Sequence, residues 1–191
     1  VIKNIAKKRK AQLYLAKKCP YFEFDFLRGF FQQENACIAL ATIQILKKYK
    51  KIGIAGKQIK DGFRKTRWPA RFQYVAKNII VDCAHNPDGM NVLINEIERL
   101  NYCKLVLVAG FSNDKDIKKM VSMLKPLADM TIITKSRNNR AASPESIKKH
   151  FNKNSIIIKI PEKALGYAKK IASKKDLIVV TGSIYLVGDI I

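Results

Sequence analysis

The sequence predicts an α/β fold in which a mostly parallel sheet is covered by helices on both faces. Three observations carry this. From residue 78 onward, short apolar runs alternate with amphipathic stretches of helical length. The runs are continuous in Val, Ile and Leu, as strands buried on both faces are. Most runs are followed by a helix-length segment, which parallel neighbours need as a crossover.

The elements follow in order. Residues 3–18 read as a basic amphipathic helix with Ile5, Leu13 and Leu15 on its apolar face. YFEFDF (21–26) alternates aromatic and acidic residues, the period of a half-buried strand. Gly29 breaks that pattern. NACIALATIQIL (35–46) is apolar nearly all round and reads as a buried helix, and 57–64 as a short one. Proline biases the residue before it away from helix, so Trp68-Pro69 marks a boundary near 65–70. It divides residues 1–66 from 67–191. Strands are then expected in 78–84, 104–111, 130–136, 155–160 and 177–183. Helices are expected near 88–101, 115–127, 144–151 and 162–173. The last run, IYLVGDII, reads as an added edge strand.

Composition narrows the function classes. The 191 residues are 48% apolar and 27% charged, which excludes a disordered chain. Lys and Arg total 37 against 15 acids, a net +22, so anionic partners are favoured. Residues 1–66 hold 16 basic and four acidic side chains. The clusters Lys7-Lys8-Arg9-Lys10 and Lys47-Lys48 with Lys50-Lys51 read as solvated helix faces. Cys19, Cys37, Cys83 and Cys103 form no CxxC, and His85 and His150 are not at zinc-ligand spacing to them. Free thiols in a reducing cytosol are therefore expected. No apolar run approaches the roughly 18 residues of a membrane span, and no signal peptide is visible, so a cytoplasmic location without a membrane partner is expected.

In open α/β sheets, ligands sit beyond the carboxyl ends of the strands. The run IIVDCAHNPDG brings Asp82, His85 and Asn86 to such an end. Asn86 suits a helix N-cap and Pro87 the first helical turn. Ser112 to Asp116, Arg137 to Arg140, and Gly182-Ser183 follow other strands and converge on the same edge. No G-x-x-x-x-G-K-[S/T] phosphate loop, G-x-G-x-x-G turn, G-x-S-x-G elbow or H-E-x-x-H is present. No residues stand at a recognisable metal-ligand spacing.

These residues resemble a family. WPAR followed by DCAHNP is similar to the W-P-G-R and D-G-A-H-N-P of folylpolyglutamate and dihydrofolate synthases, in the Mur ligase superfamily. GFSNDKD resembles G-x-x-x-DKD, RNNRA the P-R-A loop, and TGSIYLVGDI the T-G-S-L-Y-L-V-G-E segment. Upstream, GFFQQENACIALA resembles G-x-H-Q-x-x-N-A. Phe31 stands in place of the histidine, and Ala70 and Cys83 in place of glycines. The last two read as small-for-small changes.

The resemblance implies a Rossmann-like Mur ligase carboxyl-terminal domain at 67–191. Residues 1–66 would be the incomplete end of a central, ATP-binding domain. It implies an ATP-dependent ligase that joins L-glutamate to dihydropteroate or folate through an acyl phosphate. It implies contacts to ATP from Asn35, Arg71 and Asp82, and positioning of glutamate or the acyl phosphate by His85 and Ser183. Lys115 and Asp116 match the DKD motif without an implied role. Mg2+ and ATP are the implied cofactors, with the Mg2+ ligands and the phosphate loop expected in an amino-terminal part outside this chain. The chain is accordingly expected to be a piece of a longer ligase or half of a split one, inactive alone. The alternatives are a non-catalytic remnant or docking domain, and a basic nucleic-acid-binding module. Against the second, no nucleic-acid motif appears and aromatics do not interleave with the basic residues.

Overall fold

The sheet is built where the sequence places its continuous apolar runs. The structure, a computed structural model, describes residues 1–50, 52–151 and 154–191. Its chain divides into two units, Val1–Phe26 with Phe30–Arg67, and Leu27–Gly29 with Trp68–Ile191.

The larger unit holds six strands: β1 (Gln73–Ala76), β2 (Ile79–Val81), β3 (Leu105–Ala109), β4 (Met130–Ile133), β5 (Ser155–Ile157) and β6 (Leu177–Thr181). Their order is β1-β2-β6-β3-β4-β5. All pairs are parallel except β1 with β2, a hairpin in which Gln73 faces Val81. Every residue of β2, β3 and β6 is buried, which is why these runs are apolar without alternation.

Numbered from the start of the chain, its helices are α4 (Pro87–Ile97), α5 (Ile117–Leu124), α6 (Pro144–Lys148), α7 (Pro161–Ile171) and α8 (Ile184–Gly188). One face of the sheet presents Ile79, Val81, Val106, Val108, Ile132, Ile178 and Val180. It packs on Ala164, Leu165 and Ala168 of α7 and on Leu186 and Val187 of α8. Ile80, Leu107, Ile133 and Val179 face the other way and are also fully buried.

One expected element changes type. IYLVGDII forms α8 and not an edge strand; the antiparallel edge is β1 instead. Gly182 turns the chain with φ +107°, and Ser183 caps the first turn by accepting from the Tyr185 N–H. Leu186 and Val187 are then buried on the helix while Ile184 and Tyr185 are exposed, a helical and not a strand-like pattern.

The smaller unit contains α1 (Ile2–Lys8), α2 (Phe31–Lys50) and α3 (Gly56–Lys65). The helix expected over 3–18 stops at Lys8, and Lys10 adopts φ +50°. The basic run offers like-charge repulsion at helical spacing, and no residue of α1 is buried to offset it. YFEFDF is not a strand. Its backbone is held instead by the Gln33 side chain, which accepts from the Phe22 N–H and donates to the Phe22 carbonyl. Phe22 rests 4.4 Å from Phe63. The apolar stretch 35–46 is helical, within α2, but not a buried helix. Among the described residues of this unit, only Phe22, Gln32 and Ala36 are buried, and Ile38 is 58% exposed. Of the second basic cluster, Lys47 and Lys48 lie on α2, and Lys51 falls outside the described residues.

The thiols depart from expectation as well. Cys19 and Cys37 are joined by a disulfide, their Cα atoms 5.2 Å apart, a span such a bond bridges without distortion. Cys83 and Cys103 are free. Burial, with the Asp82 charge beside it, pushes the Cys83 thiol up to about 11. Cys103 is exposed. A chromogenic thiol reagent at pH 8 is therefore expected to titrate Cys103 rapidly. Cys83 should follow about a hundredfold more slowly than an ordinary thiol, because so little of it is thiolate. Two further thiols should appear only after reduction; four fast thiols without reductant would refute this assignment.

Among the described residues, no helix is long and apolar enough to cross a membrane.

Candidate functional site

The carboxyl ends of β2, β3, β4 and β6 meet at one edge of the larger unit, and the sequence explains how they come so close. A Cβ on Gly110, just past β3, would lie 2.7 Å from the Thr134 carbonyl oxygen. One on Gly182, just past β6, would lie 2.5 Å from the Gly110 carbonyl oxygen. Glycine at both positions lets three strand ends approach backbone to backbone.

The loop after β2 occupies the centre of this edge. The Asp82 N–H donates to Val180, and the Gly182 N–H donates to Ala84, so the loop is tied to β6 at both ends. Asp82 is largely buried, and each carboxylate oxygen accepts one backbone N–H. Oδ2 accepts from Phe72 at 2.7 Å and Oδ1 from Ala84 at 2.8 Å. Burial pushes the Asp82 carboxyl above its ordinary value. Those two hydrogen bonds, Arg71 and His85 oppose the rise.

Arg71 lies between two strained residues. Ala70 has φ +59° and Phe72 φ +45°, left-handed conformations that cost an L-residue about 1 kcal/mol or more each. Reading Ala70 as a small-for-small exchange thus captures its size and misses its conformation. The turn is held by the Asp82 carboxylate at Phe72, by the Gln73 side chain, which accepts from the Ala70 N–H at 2.7 Å, and by the Cys83 N–H, which donates to Ala70. The Arg71 side chain is exposed.

His85 is exposed, and its Nδ1 lies 2.9 Å from the Cys83 carbonyl. Because a carbonyl can only accept, Nδ1 donates in this contact, and Nε2 makes no hydrogen bond within the described residues. Asn86 accepts from the Gly89 N–H at 2.7 Å and Pro87 opens α4, the cap the sequence indicates. Ser183 is 3% exposed and caps α8. The edge thus brings Arg71, Asp82, His85 and Ser183 together on neighbouring backbone segments.

The DKD residues divide their duties. Asp116 caps α5 by accepting from the Lys119 N–H. Asp114 pairs with Lys115 at 3.0 Å and with Arg140 at 2.9 Å, and Arg140 also reaches the Tyr185 side chain. Arg137 joins Glu162, while its backbone N–H donates to Asp189. Exposed to solvent and screened by it, these pairs contribute little stability and link the loops after β3 and β4 to one another and to α7 and α8. Sequence reasoning did not single out Gln73 or Tyr185. Tyr185 stands inside the TGSIYLVGDI motif, which was its available signal; Gln73 had none.

Asn35 belongs to the smaller unit, on the second turn of α2. Its side-chain amide donates to Gln32 Oε1 at 3.0 Å. Gln32 is buried, and its Nε2 has no partner among the described atoms. Among the described residues, no three His, Cys, Asp or Glu side chains gather to hold a metal ion. A cavity of about 370 Å³ opens at the opposite end of β2 and β6, among Lys77, Asn78, Lys169 and Lys174, away from the converging loops.

Comparison with known proteins is consistent with this geometry. Residues 70–184 match the family model described as Mur ligase, glutamate ligase domain. The folylpolyglutamate synthase of Lacticaseibacillus casei is 28% identical over 162 residues, 84% of this chain and 37% of that protein. A probable bifunctional folylpolyglutamate synthase/dihydropteroate synthase of Haloferax volcanii is 30% identical over 169 residues, 85% of this chain and 20% of that protein. The structure of E. coli FolC in complex with ADP, without folate substrate, superposes with a TM-score of 0.81 at 23% identity. It covers 97% of this chain and 48% of that one, a likeness of fold. The chain thus spans less than half the length of these relatives.

Proposed function

This chain belongs to the Mur ligase family, and on that premise we propose that it is the carboxyl-terminal portion of an ATP-dependent ligase that joins L-glutamate to dihydropteroate or a folate. Residues 67–191 serve as the glutamate ligase domain and residues 1–66 as the end of the ATP-binding domain. The observation that carries this reading is the convergence of Arg71, Asp82, His85 and Ser183 at one sheet edge.

The reaction runs in two steps. A substrate carboxylate oxygen attacks the γ-phosphorus of ATP, and ADP leaves. The glutamate amine then attacks the acyl carbon; phosphate leaves, an amide forms, and the amine gives up a proton. Arg71 is suited to pair with phosphate oxygens through its planar fork of donors. Asn35 can read an amide or base edge on the nucleotide, although its amide already leans on Gln32. A nucleotide contact from Asp82 is part of the same proposal. His85, with Nε2 free to accept, is suited to orient or deprotonate the incoming ammonium. Ser183, at the start of α8, follows Gly182, whose N–H ties this segment to Ala84. The net charge of +22 favours capture of anionic ATP and glutamate-bearing substrates.

Phosphoryl transfer also needs its phosphates cradled and their charge neutralised. The described residues gather no metal-binding set, so no step is assigned to magnesium here. Both the cradle and the metal site are assigned to an amino-terminal part carrying a G-x-x-x-x-G-K-[S/T] loop. The test is ligation of glutamate to dihydropteroate and to tetrahydrofolate, with this chain alone and with such a part supplied. Activity is expected only in the combination, and lost on Arg71→Ala. Inactivity of the combination, with both parts folded, would overturn the proposal in favour of a docking role.

A further inference from the structure

The turn that carries Arg71 is held in a conformation its own residues disfavour. Ala70 and Phe72, on either side of Arg71, both have positive φ, and neither is glycine. Left to itself, such a turn relaxes to an ordinary extended or helical path and carries the arginine elsewhere. Phe72 is 3% exposed and Ala70 6%, so their backbone N–H groups need partners inside the protein. Two side chains supply them. Asp82 Oδ2 takes the Phe72 N–H from the β2 side, and Gln73 Oε1 takes the Ala70 N–H from the β1 side.

We propose that Gln73 and Asp82 form a two-sided clamp on the Ala70–Phe72 turn, which makes Gln73 a positioning residue that aims the Arg71 guanidinium at the anionic ligand of the strand-end site. The clamp is built into the β1–β2 hairpin. Gln73 is the first residue of β1 and faces Val81, the residue immediately before Asp82, so the ladder itself sets the two acceptors on either side of the turn. An acceptor at position 73 is what the geometry requires, and a carboxylate meets that requirement as well as an amide does. The proposal rests on the reading of Arg71 as a nucleotide contact, and its test separates the two.

The test compares the parent chain with Gln73→Leu, Gln73→Glu and Arg71→Ala. It uses ADP as the probe and two readouts: ADP affinity, followed by the Arg71 Nε–H signal or by calorimetry, and hydrogen exchange at the Ala70 amide. Gln73→Leu is expected to weaken ADP about tenfold, as befits one lost orienting hydrogen bond, and to speed exchange at Ala70. Gln73→Glu should restore both, a rescue that a merely space-filling role would not give. Parent-like affinity in Gln73→Leu, while Arg71→Ala loses binding, overturns the clamp and leaves the ligase reading standing. If the parent does not bind ADP even with the amino-terminal part supplied, the nucleotide role of Arg71 is overturned. The clamp is then decided by exchange alone: faster exchange in Gln73→Leu but not in Gln73→Glu supports it, and equal exchange in all three refutes it.

Discussion

Gly182→Ala is expected to destabilise the larger unit by about 4 kcal/mol, a large part of a domain's total stability. Two costs add. At φ +107° an L-residue is strained whatever the space around it. The added methyl would also stand 2.5 Å from the Gly110 carbonyl oxygen and 2.8 Å from the Phe111 ring. The first of these is strand-end backbone, and Phe111 is itself fully buried, so neither can step aside cheaply. Gly166→Ala makes the matched control. A methyl there meets nothing within 4 Å, and it replaces glycine inside α7, so a gain approaching about 1 kcal/mol is expected. Denaturant unfolding of the three proteins checks both signs; equal midpoints for parent and Gly182→Ala would refute the close approach of β3 and β6.

Asp82→Ala is expected to have the largest effect on ligand binding, abolishing detectable ADP affinity and lowering stability by about 3 kcal/mol. The substitution orphans the N–H groups of Phe72 and Ala84, both buried, at about 1–3 kcal/mol apiece. It also releases one side of the turn that carries Arg71. The pH dependence has a definite sign. Burial raises the Asp82 carboxyl above its ordinary 3.8 in the folded protein, so the folded state holds this proton more firmly than the unfolded chain does. Its contribution is fully present below 3.8 and is lost as pH rises through the folded value. Asp114, Glu145, Glu162 and Asp176 are shifted the other way, so the parent profile mixes both signs. The difference between the parent and Asp82→Ala isolates the Asp82 part. A difference that is flat from pH 3 to 7 would contradict the raised value.

How much could be read in advance depended on whether a residue's neighbours in sequence were also its neighbours in space. Strands β2 to β6 and helices α4 to α7 were legible because burial on both faces forces continuous Val and Ile runs, and each helix carries its own periodicity. Asn86 and Pro87 were legible for the same reason, since a cap acts within three residues. IYLVGDII misled because its aliphatic content suits a strand, while the deciding features, Gly182 and Ser183, are single residues upstream. YFEFDF has strand periodicity, but its backbone is held by the Gln33 side chain from outside the run. The places of Asp82, His85 and Ser183 beyond strand ends were legible from the apolar runs before them, and Arg71 stood out only through the W-P-A-R motif. The left-handed turn at Ala70 and Phe72 was not, because neither residue type announces positive φ; the tertiary clamp imposes it. The Cys19–Cys37 bond likewise depends on how residues 9–30 return to α2, which no local pattern encodes.

The strand order has a consequence for synthesis. Strand β6 lies between β2 and β3 and hydrogen-bonds to both, with Ile178 beside Ile79 on one side and beside Val106 on the other. Among the six described strands of this sheet it is also the last in chain order. A nascent chain that has extruded β2 and β3 holds two apolar edges with nothing between them, and local pairing cannot close the gap. The centre of the sheet can assemble only after Leu177–Thr181 has been synthesised. Until then the growing polypeptide is exposed to aggregation, and a premature stop before residue 177 leaves both edges open for good.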